Sequence, residues 1–111
     1  MCGRYVITKP VTKTRDLVKS VNVVNDVDNY NAHPTQKLPV IKSYSNDKIL
    51  EVLQWGLTLS WTQEREIRPL INARLETLGE KMTFKNLIKN YRCSVVADGY
   101  YEWKKRENVK T

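Results

Sequence analysis

The amino-acid sequence predicts an α+β domain with a core of antiparallel β-strands and two or three short helices. Short segments rich in β-branched and aromatic residues recur along the chain, which is typical of strands. Two of them flank the turn sequence Ser45-Asn46-Asp47, which favours an antiparallel pair. Only two stretches show the spacing of an amphipathic helix. With 111 residues, the chain has the length of one small domain.

The first half of the sequence predicts three strands. Residues 4–8 (RYVIT) form the first strand, and Pro10 interrupts it. Residues 38–44 (LPVIKSY) and 48–55 (KILEVLQW) are expected to pair as a hairpin, because apolar side chains recur along both segments and a turn joins them. Residues 25–34 are dense in Asn and Asp and are predicted to be a loop.

A second hairpin is predicted near the C-terminus. Residues 92–97 (RCSVVA) are expected to pair with residues 100–104 (YYEWK) across an Asp98-Gly99 turn. The polar residues 104–111 (KKRENVKT) resemble a hairpin turn whose second strand is missing. The chain is therefore expected to be truncated, with an open sheet edge that invites dimerisation or strand exchange.

Two helices are predicted between these strands. Thr12 or Thr14 is expected to cap a helix that extends to about Val24, and Thr83 to cap a shorter helix over residues 84–89. Each helix would turn one apolar face toward the core. The core-facing residues would be Leu17, Val18 and Val21 in the first helix and Phe84, Leu87 and Ile88 in the second.

The chain is strongly basic, with 19 Lys and Arg residues against 12 Asp and Glu residues and a net charge of +7. An excess of this size favours a polyanionic partner such as nucleic acid, because binding to phosphates releases condensed counterions. The basic residues are spread along the chain, so any binding patch has to be assembled by folding. A basic surface that is merely solvated is the alternative.

Composition disfavours several classes of protein. No run of about 18 apolar residues is present, so no membrane-spanning helix is expected, and the N-terminus lacks the apolar stretch of a signal peptide. Two cysteines and one histidine without a close cluster disfavour a disulfide scaffold and a metal site. We therefore expect an intracellular protein without metal or cofactor, which is cytoplasmic and nucleoid-associated in a bacterium or nuclear in a eukaryote.

Cys2 is the most informative residue of the sequence. Because its side chain is small, the usual aminopeptidase is expected to remove Met1 and leave a free α-amine beside the thiol. This 1,2-aminothiol can condense with an aldehyde, since the amine forms an imine and the thiolate closes on it to give a thiazolidine. Free α-amines and thiols titrate at about pH 8 to 8.5, so both nucleophiles are partly available at neutral pH. The alternative is a cysteine that packs as a small hydrophobic residue.

Further polar groups recur in short segments. Asn72, Arg74 and Glu76 would share one side of an extended segment, because side chains alternate along a strand. Arg4 follows Gly3, where a ligand can approach the backbone closely, and its guanidinium can hold a phosphate. In each case an ordinary solvated face is the alternative.

Glu102 lies between the aromatic residues Tyr101 and Trp103. A carboxyl group held among aromatic rings loses solvation and becomes suited to accept and return a proton. A solvated carboxylate on an edge strand is the alternative. Trp61 and Trp103 can stack against unpaired bases, whereas Trp55 is expected to lie in the core.

Five segments, taken in order along the chain, resemble one protein family. They are MCGRY at residues 1–5, YNAHPTQ at 30–36, WG at 55–56, INARLET at 71–77 and RCSVVADGYYEWK at 92–104. Together they are similar to the SOS-response-associated peptidase (SRAP) family, whose members crosslink to abasic sites in single-stranded DNA. The resemblance implies a partly open barrel built mainly of β-strands, of which residues 1–111 would be the N-terminal part.

The resemblance also implies roles for seven residues. Cys2 would capture the ring-opened deoxyribose aldehyde as a thiazolidine, Asn72 would position the cysteine and the sugar, and Glu102 would shuttle protons. The other four would contact DNA, the arginines on flanking phosphates and the tryptophans on bases: Arg4, Arg74, Trp61 and Trp103. Single-stranded DNA that contains abasic sites is therefore the implied partner.

The sequence departs from this family in its length. Members are about twice as long as a domain of this size, and their second half carries a histidine in a His-x-Arg-like motif that assists imine chemistry. His33, the only histidine of this chain, is expected to be a loop residue without that role. A second chain or self-association would complete the domain.

Two other functions stay open. A cysteine-dependent peptidase, including one limited to autoprocessing, would use Cys2 as nucleophile and Glu102 as base, although no histidine base stands at a known spacing. A non-catalytic remnant would bind single-stranded DNA reversibly and leave no heat-stable adduct.

Overall fold

Nine strands and two short helices make up the part of the chain that the structure, a computed structural model, describes: residues 2–57, 70–106 and 109–110. In chain order they are β1 (Arg4–Ile7), α1 (Pro10–Thr14), β2 (Ser20–Val21), β3 (Asn29–Ala32), β4 (Lys37–Tyr44), β5 (Asp47–Gln54), α2 (Met82–Lys85), β6 (Ser94–Val95), β7 (Gly99–Tyr101), β8 (Lys105–Arg106) and β9 (Val109–Lys110). Strands dominate and the helices are short, so the predicted α+β class is confirmed.

Two sheets and a separate hairpin organise these strands. The first sheet has three strands in the order β3-β1-β7, and the second has four in the order β2-β5-β4-β6. β8 and β9 pair with each other. All the pairs are antiparallel except β2 with β5, which run parallel. Within the described residues, the strands form no closed barrel.

The hairpin of β4 and β5 confirms the strongest local prediction. The two strands pair from Lys37 with Gln54 to Tyr44 with Asp47. Ser45 and Asn46 connect them with φ angles of 47° and 72°. Positive φ at both central residues defines a type I′ turn, whose twist matches that of the paired strands. The local sequence therefore sets both the turn and the register.

β1 is the central strand of the first sheet and carries the core. Tyr5 and Ile7 are buried and pack with Ala32 and Leu38, and we call these four residues the core cluster. Trp55 is partly buried and packs against this cluster, as predicted, with its ring centroid 5.6 Å from that of Tyr5. The core cluster thus lies close to the N-terminal end of β1, where Cys2 is found.

The first helix is much shorter than predicted. α1 ends at Thr14 instead of continuing to Val24. Beyond α1 the chain runs along β5 as β2, and Asn22 N donates to Leu50 O at 2.8 Å just past the end of β2. β-branched valines suit this extended pairing better than a helix. Tertiary pairing therefore overrides the helical spacing of the sequence.

The predicted loop over residues 25–34 contains a strand, because β3 pairs with β1. The segment before β3 provides the side chain that binds the N-terminal end of α1, where a threonine cap was predicted. The Asp26 carboxylate accepts hydrogen bonds from the backbone N–H groups of Val11 and Thr12 at 2.9 and 3.2 Å. The Thr12 hydroxyl also donates to Asp26, and these bonds lower the pKa of the Asp26 carboxyl.

The predicted C-terminal hairpin is wrong. β6 pairs with β4 in the second sheet, whereas β7 pairs with β1 in the first. The Asp98 carboxylate accepts from the backbone N–H and the hydroxyl of Thr8, each at 2.7 Å, and forms an ion pair with Lys13. These partners lie 90 and 85 residues earlier in the chain. The Asp98-Gly99 sequence therefore links two sheets and is not a hairpin turn.

α2 and the C-terminal tail also differ from the predictions. Lys81 stands at the N-cap of α2 instead of Thr83, and no side chain caps the helix. The expected core-facing residues Phe84, Leu87 and Ile88 are half-buried. The tail is not a lone turn, since β8 and β9 form a small hairpin. Across the described residues, no helix has the length and apolarity needed to cross a membrane.

Candidate functional site

Cys2 lies two residues before the start of β1 and is half-buried against the core cluster. Its thiol donates a weak hydrogen bond to the Arg4 carbonyl O at 3.4 Å. β1 is paired on both sides, by β3 and by β7. The fold therefore fixes the backbone next to Cys2 while part of the residue stays accessible.

Asn72 reaches Cys2 from a distant part of the chain. Its side-chain Nδ2 donates to the Cys2 carbonyl O at 3.1 Å, across 70 residues of sequence. The segment before Asn72 is held by Trp55, whose indole N–H donates to the Ile71 carbonyl O at 2.8 Å. Asn72 is itself half-buried. The structure therefore brings together two of the three residues expected to act on an aldehyde.

An open cavity of about 720 Å³ contains several of the predicted DNA-contacting residues, and we call it the Arg4 cavity. β1 pairs with β7 so that Arg4 lies opposite Tyr101. Glu102 and Trp103 follow at the end of β7 and line the same cavity as Arg4. Its full lining is Gly3, Arg4, Ile71, Asn72, Tyr101, Glu102, Trp103 and Lys104. Four of the seven residues implied by the family resemblance thus meet here.

The Arg4 cavity is open to solvent. Trp103 is 75% exposed, and both Glu102 and Arg4 are exposed. Glu102 therefore lies at the surface, whereas the sequence predicted a carboxyl group held among aromatic rings. Arg4 Nη1 donates to the Gly3 carbonyl O at 2.9 Å, which keeps the guanidinium beside its own strand. An exposed cation and an exposed indole suit a flexible ligand with phosphates and unstacked rings.

Arg74 lies outside the lining of the Arg4 cavity. The chain turns at this point, with Thr77 N donating to the Arg74 carbonyl O at 3.2 Å. Arg74 Nε lies 3.7 Å from Glu76 Oε2, and both side chains are largely exposed. Of the three polar residues expected to share one face, Asn72 alone lines the cavity.

A second cavity, of about 680 Å³, shares Ile71 and Asn72 with the first, and we call it the apolar groove. Cys2 and Asn72, which are joined by a hydrogen bond, both line this groove. The rest of the lining is mostly apolar, with Gln54 as a polar exception. It consists of Tyr5, Leu38, Val40, Leu53, Gln54, Trp55, Gly56, Leu57, Ala73, Cys93, Val95, Ala97 and Tyr100.

Tyr5 and Cys93 are groove residues that the sequence analysis missed as neighbours of Cys2. Burial raises the pKa of Tyr5 to about 12, and repulsion from the Cys2 and Cys93 groups in their ionised form adds to the shift. Partial burial of the thiol also raises the pKa of Cys93, although the residue as a whole is exposed. The Tyr5 hydroxyl and the Cys93 thiol are therefore protonated at neutral pH. The alternation of Tyr5 with Ile7 signalled burial, but nothing in the sequence signalled that Cys93 shares a groove with Cys2.

The remaining sequence predictions concern Trp61, His33 and metals. Trp61 lies outside the described residues, so its contact with a base stays a prediction. His33 lies in a loop, where its Nδ1 donates to the Pro34 carbonyl O at 2.8 Å, and it lines neither cavity. In the described ranges, no three side chains of His, Cys, Asp or Glu are grouped so that they could hold a metal ion.

Comparison with known proteins places these residues in a family context. Residues 1–111 match the family model described as SOS response associated peptidase (SRAP). The abasic site processing protein YoqW of Bacillus subtilis (strain 168) is 32% identical over 112 residues, which cover 95% of this chain and 49% of YoqW. YoaM of the same organism, also named an abasic site processing protein, is 36% identical over 112 residues, with 97% and 49% covered.

An animal relative also matches. The abasic site processing protein HMCES of Xenopus tropicalis is 34% identical over 94 residues, which cover 73% of this chain and 28% of HMCES. The chain thus spans about half the length of the bacterial relatives and a smaller part of the animal one. The match over all 111 residues confirms the resemblance inferred from the five segments, and the chain belongs to the SRAP family.

Proposed function

We propose that this chain captures abasic sites in single-stranded DNA by forming a thiazolidine between Cys2 and the ring-opened deoxyribose aldehyde. Membership of the SRAP family supports a role in abasic-site processing, since the relatives carry that name. The observation that carries the proposal is the hydrogen bond from Asn72 Nδ2 to the Cys2 carbonyl O, at 3.1 Å and beside an open cavity.

Capture requires a free α-amine, so removal of Met1 is part of the proposal. The Cys2 amine adds to the aldehyde carbon, and loss of one water gives an imine. The Cys2 sulfur then bonds to the same carbon, the nitrogen takes up a proton, and the thiol proton is released. The net reaction joins protein and DNA with the loss of one water, and it needs no cofactor.

Asn72 and Glu102 have different parts in this reaction. Because Asn72 binds the Cys2 carbonyl O, it orients the backbone from which both nucleophiles project. Glu102 is exposed and lines the Arg4 cavity together with Asn72. We assign it the proton transfers of ring opening and of water loss.

The same cavity suits single-stranded DNA. Arg4 supplies a cation for a phosphate, and Trp103 offers an exposed ring on which a base can stack. Arg74 would hold a phosphate farther along the strand, and Trp61 would contact a base. The net charge of +7 strengthens all these contacts. The proposed place of action is wherever single-stranded DNA is exposed, the nucleoid of a bacterium or the nucleus of a eukaryote.

The test is adduct formation with single-stranded DNA that carries one abasic site. We expect the chain without Met1 to form an adduct that survives denaturing electrophoresis, and Cys2→Ala to form none. Cys93→Ala is the matched control, because it removes the other thiol of the groove and should keep the adduct. An adduct formed by a folded Cys2→Ala variant would contradict the proposal.

Reversible binding of single-stranded DNA without chemistry is a second candidate, favoured by the exposed Arg4 and Trp103 and by the net charge of +7. It predicts that a folded chain without Met1 binds DNA in a salt-sensitive manner and leaves no adduct. A cysteine-dependent peptidase is distinguished by blocking the α-amine, because thiazolidine formation needs the amine whereas attack of a thiol on a peptide does not.

A further inference from the structure

We propose that Cys2 and Arg4 also capture a free short-chain aldose phosphate, a small molecule whose phosphate is attached to the second carbon from the aldehyde carbon. The inference rests on the proposed function, because it uses the same aminothiol after removal of Met1. It extends that function from DNA to a class of small molecules that would compete with the lesion for Cys2. Its main test uses no DNA, so its failure can be told apart from a failure of DNA capture.

The aminothiol and the guanidinium are neighbours in the fold. The Cys2 thiol donates to the Arg4 carbonyl O at 3.4 Å, and Arg4 Nη1 donates to the Gly3 carbonyl O at 2.9 Å. The guanidinium is thus folded back against the residue that follows Cys2 in the chain. A ligand that bonds to Cys2 therefore needs only a short spacer to reach the Arg4 side chain.

Both groups are positioned without DNA. Arg4 begins β1, which pairs with β3 on one side and with β7 on the other, and the Asn72 amide donates to the Cys2 carbonyl O at 3.1 Å. Arg4 is nevertheless exposed and lines the Arg4 cavity. Because these residues are ordered before binding, a small ligand does not have to bring them together, which lowers the entropic cost of binding.

The ring-opened abasic nucleotide and a three-carbon aldose phosphate share the same reactive fragment. In the nucleotide, the aldehyde is at C1 of the sugar and the 3′ phosphate is attached to C3. In glyceraldehyde 3-phosphate, the aldehyde is likewise at C1 and the phosphate is attached to C3. A site that fits the first through Cys2 and Arg4 therefore also fits the second.

The smaller ligand differs from the lesion in one step. A three-carbon aldose is too short to close the five-membered sugar ring that masks the aldehyde of an abasic site. Its capture therefore needs no ring opening. The rest of the reaction is unchanged, since the aldehyde carbon bonds to the nitrogen and the sulfur of Cys2 and one water is lost. No oxidant or reductant is required.

Charge at the cavity favours a phosphate ligand. Among the described residues that line the Arg4 cavity, Arg4 and Lys104 are cations and Glu102 is a carboxylate. A guanidinium presents its N–H donors in a planar fork that matches two phosphate oxygens. The net charge of +7 also attracts a small dianion, but this attraction acts over the whole surface. A preference for phosphate that depends on Arg4 is therefore the specific sign of the proposed contact.

The test measures thiazolidine formation on the folded chain without Met1 by intact mass spectrometry. The probes are glyceraldehyde 3-phosphate and glyceraldehyde, which lacks the phosphate. Each rate is divided by the rate of the same probe with free cysteine, which removes the intrinsic difference in reactivity between the two aldehydes. On this scale, the phosphate-bearing probe should react at least about tenfold faster, because a charge-assisted hydrogen bond holds it beside Cys2.

Arg4→Ala should lose this preference, whereas Arg15→Ala should keep it. Arg15 is the matched control, because it is exposed and lines neither cavity. Arg4→Gln, which keeps a long polar side chain without the charge, replaces Arg4→Ala if that variant fails to fold. Equal rates for the two probes on the unmodified chain, or an equal loss of preference in the Arg4 and Arg15 variants, would overturn the proposal.

A second readout connects this reaction to DNA. A chain whose Cys2 has been fully converted by glyceraldehyde 3-phosphate should form almost no adduct with abasic DNA, because one aminothiol serves both reactions. Unchanged adduct formation by the converted chain would overturn the proposal. If both probes react at Cys2 without any effect of the phosphate, this inference alone fails. If neither probe reacts at Cys2, the proposed capture of DNA fails with it.

Discussion

Two regions of the chain, residues 2–57 and 70–104, differ in how their side chains are packed. Every buried side chain described lies at or before residue 51, and from residue 70 onward every described side chain is half-buried or exposed. Yet Asn72, Glu102 and Trp103 belong to the second region. The first region is therefore the scaffold. The second supplies polar groups to the candidate site and takes its position from contacts with the first.

Among the contacts that connect these regions are three polar ones. β7 pairs with β1, Asp98 binds Thr8 and Lys13, and the Asn72 amide binds the Cys2 carbonyl O. These three contacts join the regions through hydrogen bonds and charge, whereas buried apolar side chains hold the first region together. The difference predicts that stability and site chemistry respond to different substitutions.

The largest effect on stability should come from Leu50→Ala. Leu50 is 0% exposed in β5, and such truncations cost about 2–5 kcal/mol because they leave a cavity. The matched variant Val95→Ala, at a site that is 57% exposed, should lower the free energy of unfolding by less than about 1 kcal/mol. Urea unfolding measures both values. Similar losses for the two variants would show that the second region is packed as well as the first.

Asn72→Ala should slow adduct formation about tenfold, equivalent to about 1.4 kcal/mol, because a hydrogen bond that orients the reacting residue is lost. Single-turnover gel assays measure this rate. Asn86→Ala, at the exposed C-cap of α2, should leave the rate unchanged. If both variants react as fast as the unmodified chain, the contact between Asn72 and Cys2 has no part in capture.

Asp98 makes the connection between the regions sensitive to acid. The Lys13 ammonium and the Thr8 hydroxyl hold the pKa of Asp98 below its ordinary value of 3.8. A depressed folded-state pKa contributes stability above pH 3.8 that is lost as pH falls through the lower folded-state value. The Tm should therefore fall between pH 5 and pH 2 by more in the unmodified chain than in Asp98→Asn. Parallel Tm profiles in thermal melts would show that the contact contributes nothing.

The smallest effect concerns DNA affinity. Arg4→Ala should reduce the slope of log affinity against log salt by about one phosphate contact for single-stranded DNA. Fluorescence anisotropy at several salt concentrations measures the slope. Arg15→Ala removes an exposed arginine that lines neither cavity and should change the slope less. Equal slopes for the two variants would remove Arg4 from the binding surface.

Local features of the sequence predicted part of this fold. Alternation along two segments and the Ser45-Asn46 turn were enough for the β4–β5 hairpin, because all its determinants lie within twenty residues. The sequence could not predict that β6 and β7 belong to different sheets. Asp98 lies between the two strands, and the residues that it binds are 85 and 90 positions earlier in the chain. The prediction of a long first helix was wrong because Val21 pairs with Leu50 of β5 instead of continuing a helix.

The site followed a similar division. Residue chemistry alone predicted a role for Cys2, but the family resemblance was needed to associate Asn72 with it, because 70 residues separate the two. Glu102 was expected to be held among aromatic rings and is exposed instead, because it follows the end of β7, where Tyr101 and Trp103 are exposed as well. The groove around Cys2 could not be predicted, because it is assembled from segments that meet only in the folded chain.

Mapping the attachment point tests the central claim most directly. After reaction with abasic single-stranded DNA, nuclease and protease digestion followed by tandem mass spectrometry should yield an N-terminal peptide that begins at Cys2. That peptide should carry the sugar remnant with the loss of one water, and its thiol should resist alkylation. An adduct found on a lysine, or on a chain that keeps Met1, would contradict capture by the aminothiol of Cys2.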